Sequence, residues 1–337
     1  MMGTGKIIVL AYPDTFVKMS DEWQCKLFPL VGLGTWDYVK AGHAAIVLID
    51  NKTGKANYYD FGRYVTPKGY GRVRSEITDV ELKIPFKAKL IGNGPLENLN
   101  EFLLWLDVNP QKTHGKGRLL ASVCEYISFE KAEKYVQELQ QKGSIPYKAF
   151  KSIGSNCARF VTETILESTE NKDIIKALNH NKRFTPSTVG NVEKASSRIV
   201  YEVFEGEIKK FKGSALKENL TNYFHRKKKS KSEDIFIPEI PKYAQKLEGR
   251  GSSAWFDIEL LDFGKNQYRI QRYNDLGHID YVGIFIALDS FDINKQFEFT
   301  YDSHCEFCHI IQEGKKIKFQ KINTCPEFNI LQQAVSF

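Results

Sequence analysis

The sequence has no run approaching the roughly 18 consecutive apolar residues that a membrane-spanning helix needs, so no membrane span is expected. It also lacks a leader pattern. One lysine precedes the short apolar run Ile7–Ala11, and Tyr12-Pro13-Asp14 follows where a leader would place small residues for cleavage. That run reads as a buried first strand, and the expected location is the cytoplasm. There the six cysteines stay reduced, and their even number predicts no disulfide framework. Charge of one sign is in short excess: Lys and Arg outnumber Asp and Glu by 48 to 41, a formal +7. Much of it lies in one run, His225 to Ser232, which has no interleaved aromatic for base stacking. It reads as a solvated linker, and no nucleic acid is expected as a partner.

Phosphate-binding glycine motifs are missing as well. Gly3-Thr4-Gly5-Lys6 lacks both the upstream glycine and the following Ser or Thr of a phosphate loop. Gly32-Leu33-Gly34, Gly69-Tyr70-Gly71 and Gly115-Lys116-Gly117 lack the dinucleotide fingerprint and read as turns. No cofactor is expected.

What is present is a globular composition, 42% hydrophobic, 26% charged and 13% aromatic, in 337 residues, which predicts about two domains. The first half reads as mixed α and β. Gly42–Asp50 suits a central strand, Asn51–Gly54 a hairpin turn and Ala56–Phe61 its partner, with further strands at Val80–Pro85 and Arg118–Ile127. Helices are expected over Leu96–Leu106, over 129–142 with Ser128 as cap, and over Lys172–Asn179. Another begins at Cys157, where Cys157, Phe160, Val161, Thr164 and Ile165 keep helical spacing and Ser155 or Asn156 can cap. After about residue 195, alternating segments such as Trp255–Leu261 and Gln267–Tyr273 indicate a separate β-sandwich or open barrel. The predicted division is 1–190, a connector 191–245, and 246–337.

Two residues carry the sharpest chemistry. Cys157 in the first turn of a helix sits at the positive end of the macrodipole, which favours a nucleophilic thiolate, and Arg159 adds helpful charge. His43 on a rigid strand, with Gly42, Ala44 and Ala45 leaving space around it, can serve as general base and acid. If Asp50 pairs with Lys55 across the hairpin, Ala45 faces Asp60, and Asp60 lies diagonally beside His43 as the orienting carboxylate. A one-residue slip would present Tyr59 or Phe61 instead. The Cys157 backbone N–H is the evident oxyanion donor.

The order of these segments, Gly42-His43 through Ile49, then Tyr147 to Phe150 followed by Ser155-Asn156-Cys157-Ala158-Arg159-Phe160-Val161, resembles the circularly permuted papain-like proteins, relatives of the NlpC/P60 hydrolases. The resemblance covers about residues 1–180. It implies an α+β domain with an antiparallel sheet packed on helices, a nucleophile at Cys157 and a base at His43. Over the whole chain, Leu10–Asp14, Tyr59–Tyr64, Gly71–Arg74 and Ser303–Cys308 resemble an uncharacterised family of Bacteroidetes-type proteins.

Around this pair, Trp36 and Tyr38 are candidates to line the cleft, and Arg63, Arg72 and Arg74 to bind a substrate carboxylate. In the second half, His304, Cys305, Cys308 and His309 have metal-ligand spacing, and Cys325 could join them, but a second CxxC is missing and residues 304–309 also read as strand. They read as structural thiols, with no metal. The expected function is hydrolysis of an amide or isopeptide bond in a peptide-like or small amide substrate. The alternatives are an inactive binding protein on the same fold and a lipid acyltransferase-like thiol enzyme.

Overall fold

The computed structural model describes residues 3–92, 94–150, 153–183, 185–196, 199–225, 240–262 and 264–324. The chain divides into two compact units, one made of 1–62, 71–75 and 82–229, the other of 63–70, 76–81 and 230–337.

The first unit contains β1 (Gly5–Tyr12), β2 (Val17–Lys18), β3 (Tyr38–Val39), β4 (His43–Asp50), β5 (Ala56–Gly62), β6 (Tyr70–Arg74), β7 (Leu119–Ile127), β8 (Ile145–Pro146), β9 (Tyr201–Phe204) and β10 (Glu207–Lys210). Its helices are α1 (Trp23–Leu27), α2 (Leu99–Asp107), α3 (Pro110–Thr113), α4 (Phe129–Gln141), α5 (Cys157–Ser168), α6 (Lys172–Asn181), α7 (Thr188–Lys194) and α8 (Ala215–Phe224). The main sheet runs β10-β9-β7-β1-β4-β5-β6-β8, with antiparallel pairing of β1 to β4 and β7, and of β5 to β4 and β6. Both faces are covered, which is why β1 and β4 read as unbroken apolar runs. Ile7, Val9, Ala44, Ile46 and Leu48 pack with Val136 of α4 and Phe160 and Val161 of α5. On the other side, Ile8, Leu10, Ala45 and Val47 pack with Phe102, Leu103 and Leu106 of α2.

The helices start where side chains cap them. Ser128 accepts from the Lys131 N–H, Asn156 from that of Arg159, and Asn171 from those of Asp173 and Ile174. Several elements depart from expectation. Val80–Leu82 is a 3-10 turn, and the strand falls earlier, at β6. Gly71, expected in a turn, is strand because it lies against the chain opposite: a Cβ there would stand 2.8 Å from the Gly62 carbonyl oxygen and 2.9 Å from the Phe61 ring. In the segment read as a connector, β9 extends the main sheet beside β7, and α8 ends at Phe224. The basic run Arg226–Lys231 lies outside the described residues.

The second unit is all β: β11 (Gln245–Leu247), β12 (Ala254–Asp262), β13 (Gln267–Tyr273), β14 (Ile279–Ala287), β15 (Glu298–Phe299), β16 (Phe307–Gln312) and β17 (Lys315–Thr324), ordered β11-β12-β13-β14-β17-β16-β15. This sheet curls into a nearly closed barrel. The Gln245 side chain on β11 donates to the Phe297 carbonyl at 2.8 Å and accepts from the Phe299 N–H at 2.9 Å, tying the two edge strands together. Its interior is Phe256, Tyr268, Ile270, Phe285, Ile310 and Phe319 with Cys305 and Cys308. Burial pushes the Cys305 thiol up to about 12. Among the described residues no group of three or more His, Cys, Asp or Glu could hold a metal, and Cys325 lies outside them.

Candidate active site

Cys157 is the first residue of α5, and Asn156 before it makes two bonds that shape the helix start. Its Oδ1 caps the Arg159 N–H at 2.9 Å, and its Nδ2 donates to the Lys148 carbonyl at 2.8 Å, fixing the preceding loop to the helix. Arg159 ties down the same loop, because its guanidinium donates to the carbonyls of Lys148 and Ala149. The charge expected to assist Cys157 is thus spent largely on holding the loop.

His43 is the first residue of β4. Gly42 before it has φ +76°, a left-handed conformation suited to glycine, and a Cβ there would stand 2.9 Å from Thr188 Oγ1 and 3.1 Å from the Tyr12 carbonyl oxygen. The register inferred from the hairpin is the one observed: Asp50 N bonds to Lys55 O, and Ala45 pairs with Asp60. Asp60 Oδ2 lies 3.2 Å from His43 Nε2. The Cys157 sulfur lies close enough to the same imidazole to raise its pKa. Tyr12 stacks on the ring, with centroids 6.4 Å apart and planes at 21°.

The three groups are buried: Cys157 is 7% exposed, His43 5% and Asp60 0%. Burial pushes the His43 pKa down, but the hydrogen bond that His43 donates to Asp60, the nearby Cys157 sulfur and the Asp60 charge outweigh it and raise it to about 9. For Asp60, burial acts upward and is overcome by the Arg74 charge and the His43 hydrogen bond, which hold the carboxyl well below the usual carboxylate range.

The residues expected to bind substrate lie in several parts of the fold. Arg74 is 2% exposed and turned onto Asp60, with Nε to Oδ1 at 3.0 Å and Nη2 to Oδ2 at 2.6 Å, so its guanidinium is committed within the fold. Arg63 is buried in the second unit, and Arg72 is buried in β6 opposite Gly62. Trp36 is 66% exposed in the segment preceding β4, and Tyr38 is half-buried in β3 opposite Lys18. The structure therefore groups Cys157, His43 and Asp60, and adds Arg74 behind them. Tyr58 joins them without having been expected, although the sequence carries its signal: two residues before Asp60 on one strand, it shares that face, and its hydroxyl donates to Asp60 Oδ2 at 3.1 Å.

Residues 7–174 match the family model described as type VI secretion system effector TseH-like. Residues 244–322 match the DUF6695 C-terminal domain. No curated protein matches the chain significantly. Among solved structures, the crystal structure of a type VI secretion system effector, TseH, is similar at 18% identity and a TM-score of 0.41, over 61% of this chain and 97% of that one. The N-terminal part of the chain is thus similar to the TseH-like type VI secretion effectors, and the C-terminal part to the DUF6695 C-terminal domain.

Proposed function

We propose that the first unit is a cysteine hydrolase that cleaves an amide or isopeptide bond, with Cys157 as nucleophile, His43 as proton carrier and Asp60 as the group that orients His43. The observation that carries this reading is the single imidazole hydrogen-bonded to a buried carboxylate and standing beside the thiol at the start of a helix. The Cys157 proton passes to His43, and the sulfur attacks the substrate carbonyl carbon. The C–S bond forms, and the carbonyl electron pair moves to oxygen. The first N–H groups of a helix have no intrahelical acceptor, so the Cys157 N–H can receive that oxyanion. As the C–N bond breaks, His43 gives its proton to the leaving amine. Water then attacks the thioester, its proton passing to His43, and release of the acid restores the thiol. The effector description of the matching family supports action on a target in another cell.

The test is thiol reactivity. Wild-type protein is treated with iodoacetamide at pH 6, and Cys157 labelling is followed by peptide mass spectrometry. Labelling at least tenfold faster than an exposed model thiol, and lost in His43→Ala, is the expected outcome. Labelling no faster than the model thiol and unaltered by His43→Ala would remove the catalytic reading.

A further inference from the structure

We infer that Arg74 is a positioning residue of this site, acting on His43 through Asp60; the inference rests on the hydrolase reading above. Asp60 lies on β5 between two neighbours, with Ala45 opposite it on β4 and Arg74 opposite it on β6. Arg74 therefore meets the carboxylate from one side of the strand, while His43 meets it diagonally from the other. The guanidinium fork takes both oxygens, Nε on Oδ1 and Nη2 on Oδ2, and parallel N–H donors of this kind set the plane of a carboxylate as well as its place. Nη2 is itself anchored on the Lys112 carbonyl at 3.3 Å. Held this way, Oδ2 faces His43 Nε2 at 3.2 Å, with the Tyr58 hydroxyl as a further donor. A lysine could supply the charge but not the plane.

The second consequence is electrostatic. A fully buried carboxyl without a cation tends to keep its proton. A protonated Asp60 no longer stabilises imidazolium at His43, so proton transfer from Cys157 becomes harder. Arg74 stands first among the groups that oppose the burial of Asp60. Its action on the thiol is thus relayed: guanidinium to carboxylate, carboxylate to imidazole, imidazole to sulfur.

The test uses the full chain. Iodoacetamide alkylation of Cys157 is measured from pH 4.5 to 9.5 in wild type, Arg74→Gln, Arg74→Lys and His43→Ala, with thermal unfolding to establish that each is folded. For Arg74→Gln the acid limb of the rate profile is expected to move up by about one pH unit, making labelling about tenfold slower at pH 6 and near wild type at pH 9. Arg74→Lys, which returns the charge without the fork, is expected between the two, and it decides alone if Arg74→Gln does not fold. Profiles of the Arg74 variants that superimpose on wild type, or that fall equally at every pH, would overturn the inference while a displaced His43→Ala profile left the hydrolase reading standing. If His43→Ala also superimposes on wild type, the hydrolase reading fails, and the role of Arg74 falls with it.

Discussion

At position 43 the imidazole meets a buried carboxylate, and this makes the site a contributor to stability. The His43 pKa is raised from 6.5 to about 9, so its stabilisation is fully present below pH 6.5 and is lost as pH rises through about 9. Asp60 works in the opposite sense. Its contribution is present above 3.8 and is lost as pH falls through its depressed folded value. The stability gap between wild type and His43→Gln should therefore contain a pH-dependent part of roughly 3 kcal/mol near pH 6 that closes by about pH 10, read from urea unfolding at both pH values. Asp60→Asn removes the charge that Arg74 is buried against. A loss of about 3–5 kcal/mol is expected, with a lower thermal midpoint for the first unit.

At the scale of elements, the site depends on how β4 and α5 begin. Alternation along β4 puts His43 on the face of Ala45 and Val47, whereas Cys157 belongs to the cluster on the opposite face. The two can meet because each is the first residue of its element. Gly42→Ala forces a side chain into a left-handed backbone and against Thr188 and Tyr12, and should cost about 1–2 kcal/mol in chemical denaturation. Asn156→Ala loses the cap of α5 and the tie to Lys148 together. It should destabilise by about 1–2 kcal/mol and also slow Cys157 alkylation, because the turn presenting the thiol frays.

For the whole molecule, the second unit is larger than the segment that matches its family model. The match spans 244–322, whereas the compact unit also takes in 63–70 and 76–81 from far upstream. Both pieces are bonded into it: Val65 N donates to the Ser252 carbonyl at 3.0 Å, and Cys305 N to that of Thr78 at 3.3 Å. Arg272, buried on β13, bonds Asp79 at 3.0 Å, Glu81 at 3.2 Å and Asp280 at 2.7 Å. A fragment beginning at residue 230 therefore keeps Arg272 and Asp280 but loses two of its three carboxylate partners. It should unfold at a clearly lower denaturant concentration than the same unit in the full chain, as followed by amide hydrogen exchange in β12 to β14. Equal protection in the two would show that the upstream segments are dispensable.

Much of this is legible along the chain because it depends on local rules. Helical spacing and a capping side chain place α4, α5 and α6, and the short hairpin between β4 and β5 sets a register that brings Asp60 beside His43. The same period of two contains Tyr58. The strand β6 is hidden in the sequence, since its glycine reads as a turn and its arginines as substrate ligands, and only their placement against Phe61, Gly62 and Asp60 makes them interior. Arg74 reads as a substrate ligand for that reason: a charged residue declares its partner only when distant strands are brought together. The upstream segments of the second unit are invisible for the same reason, because long-range charge pairs such as Arg272 with Asp79 leave no periodic trace in a sequence. Local patterning specified the elements and the chemistry at their ends, while burial and pairing across the sheets settled which charged groups face one another.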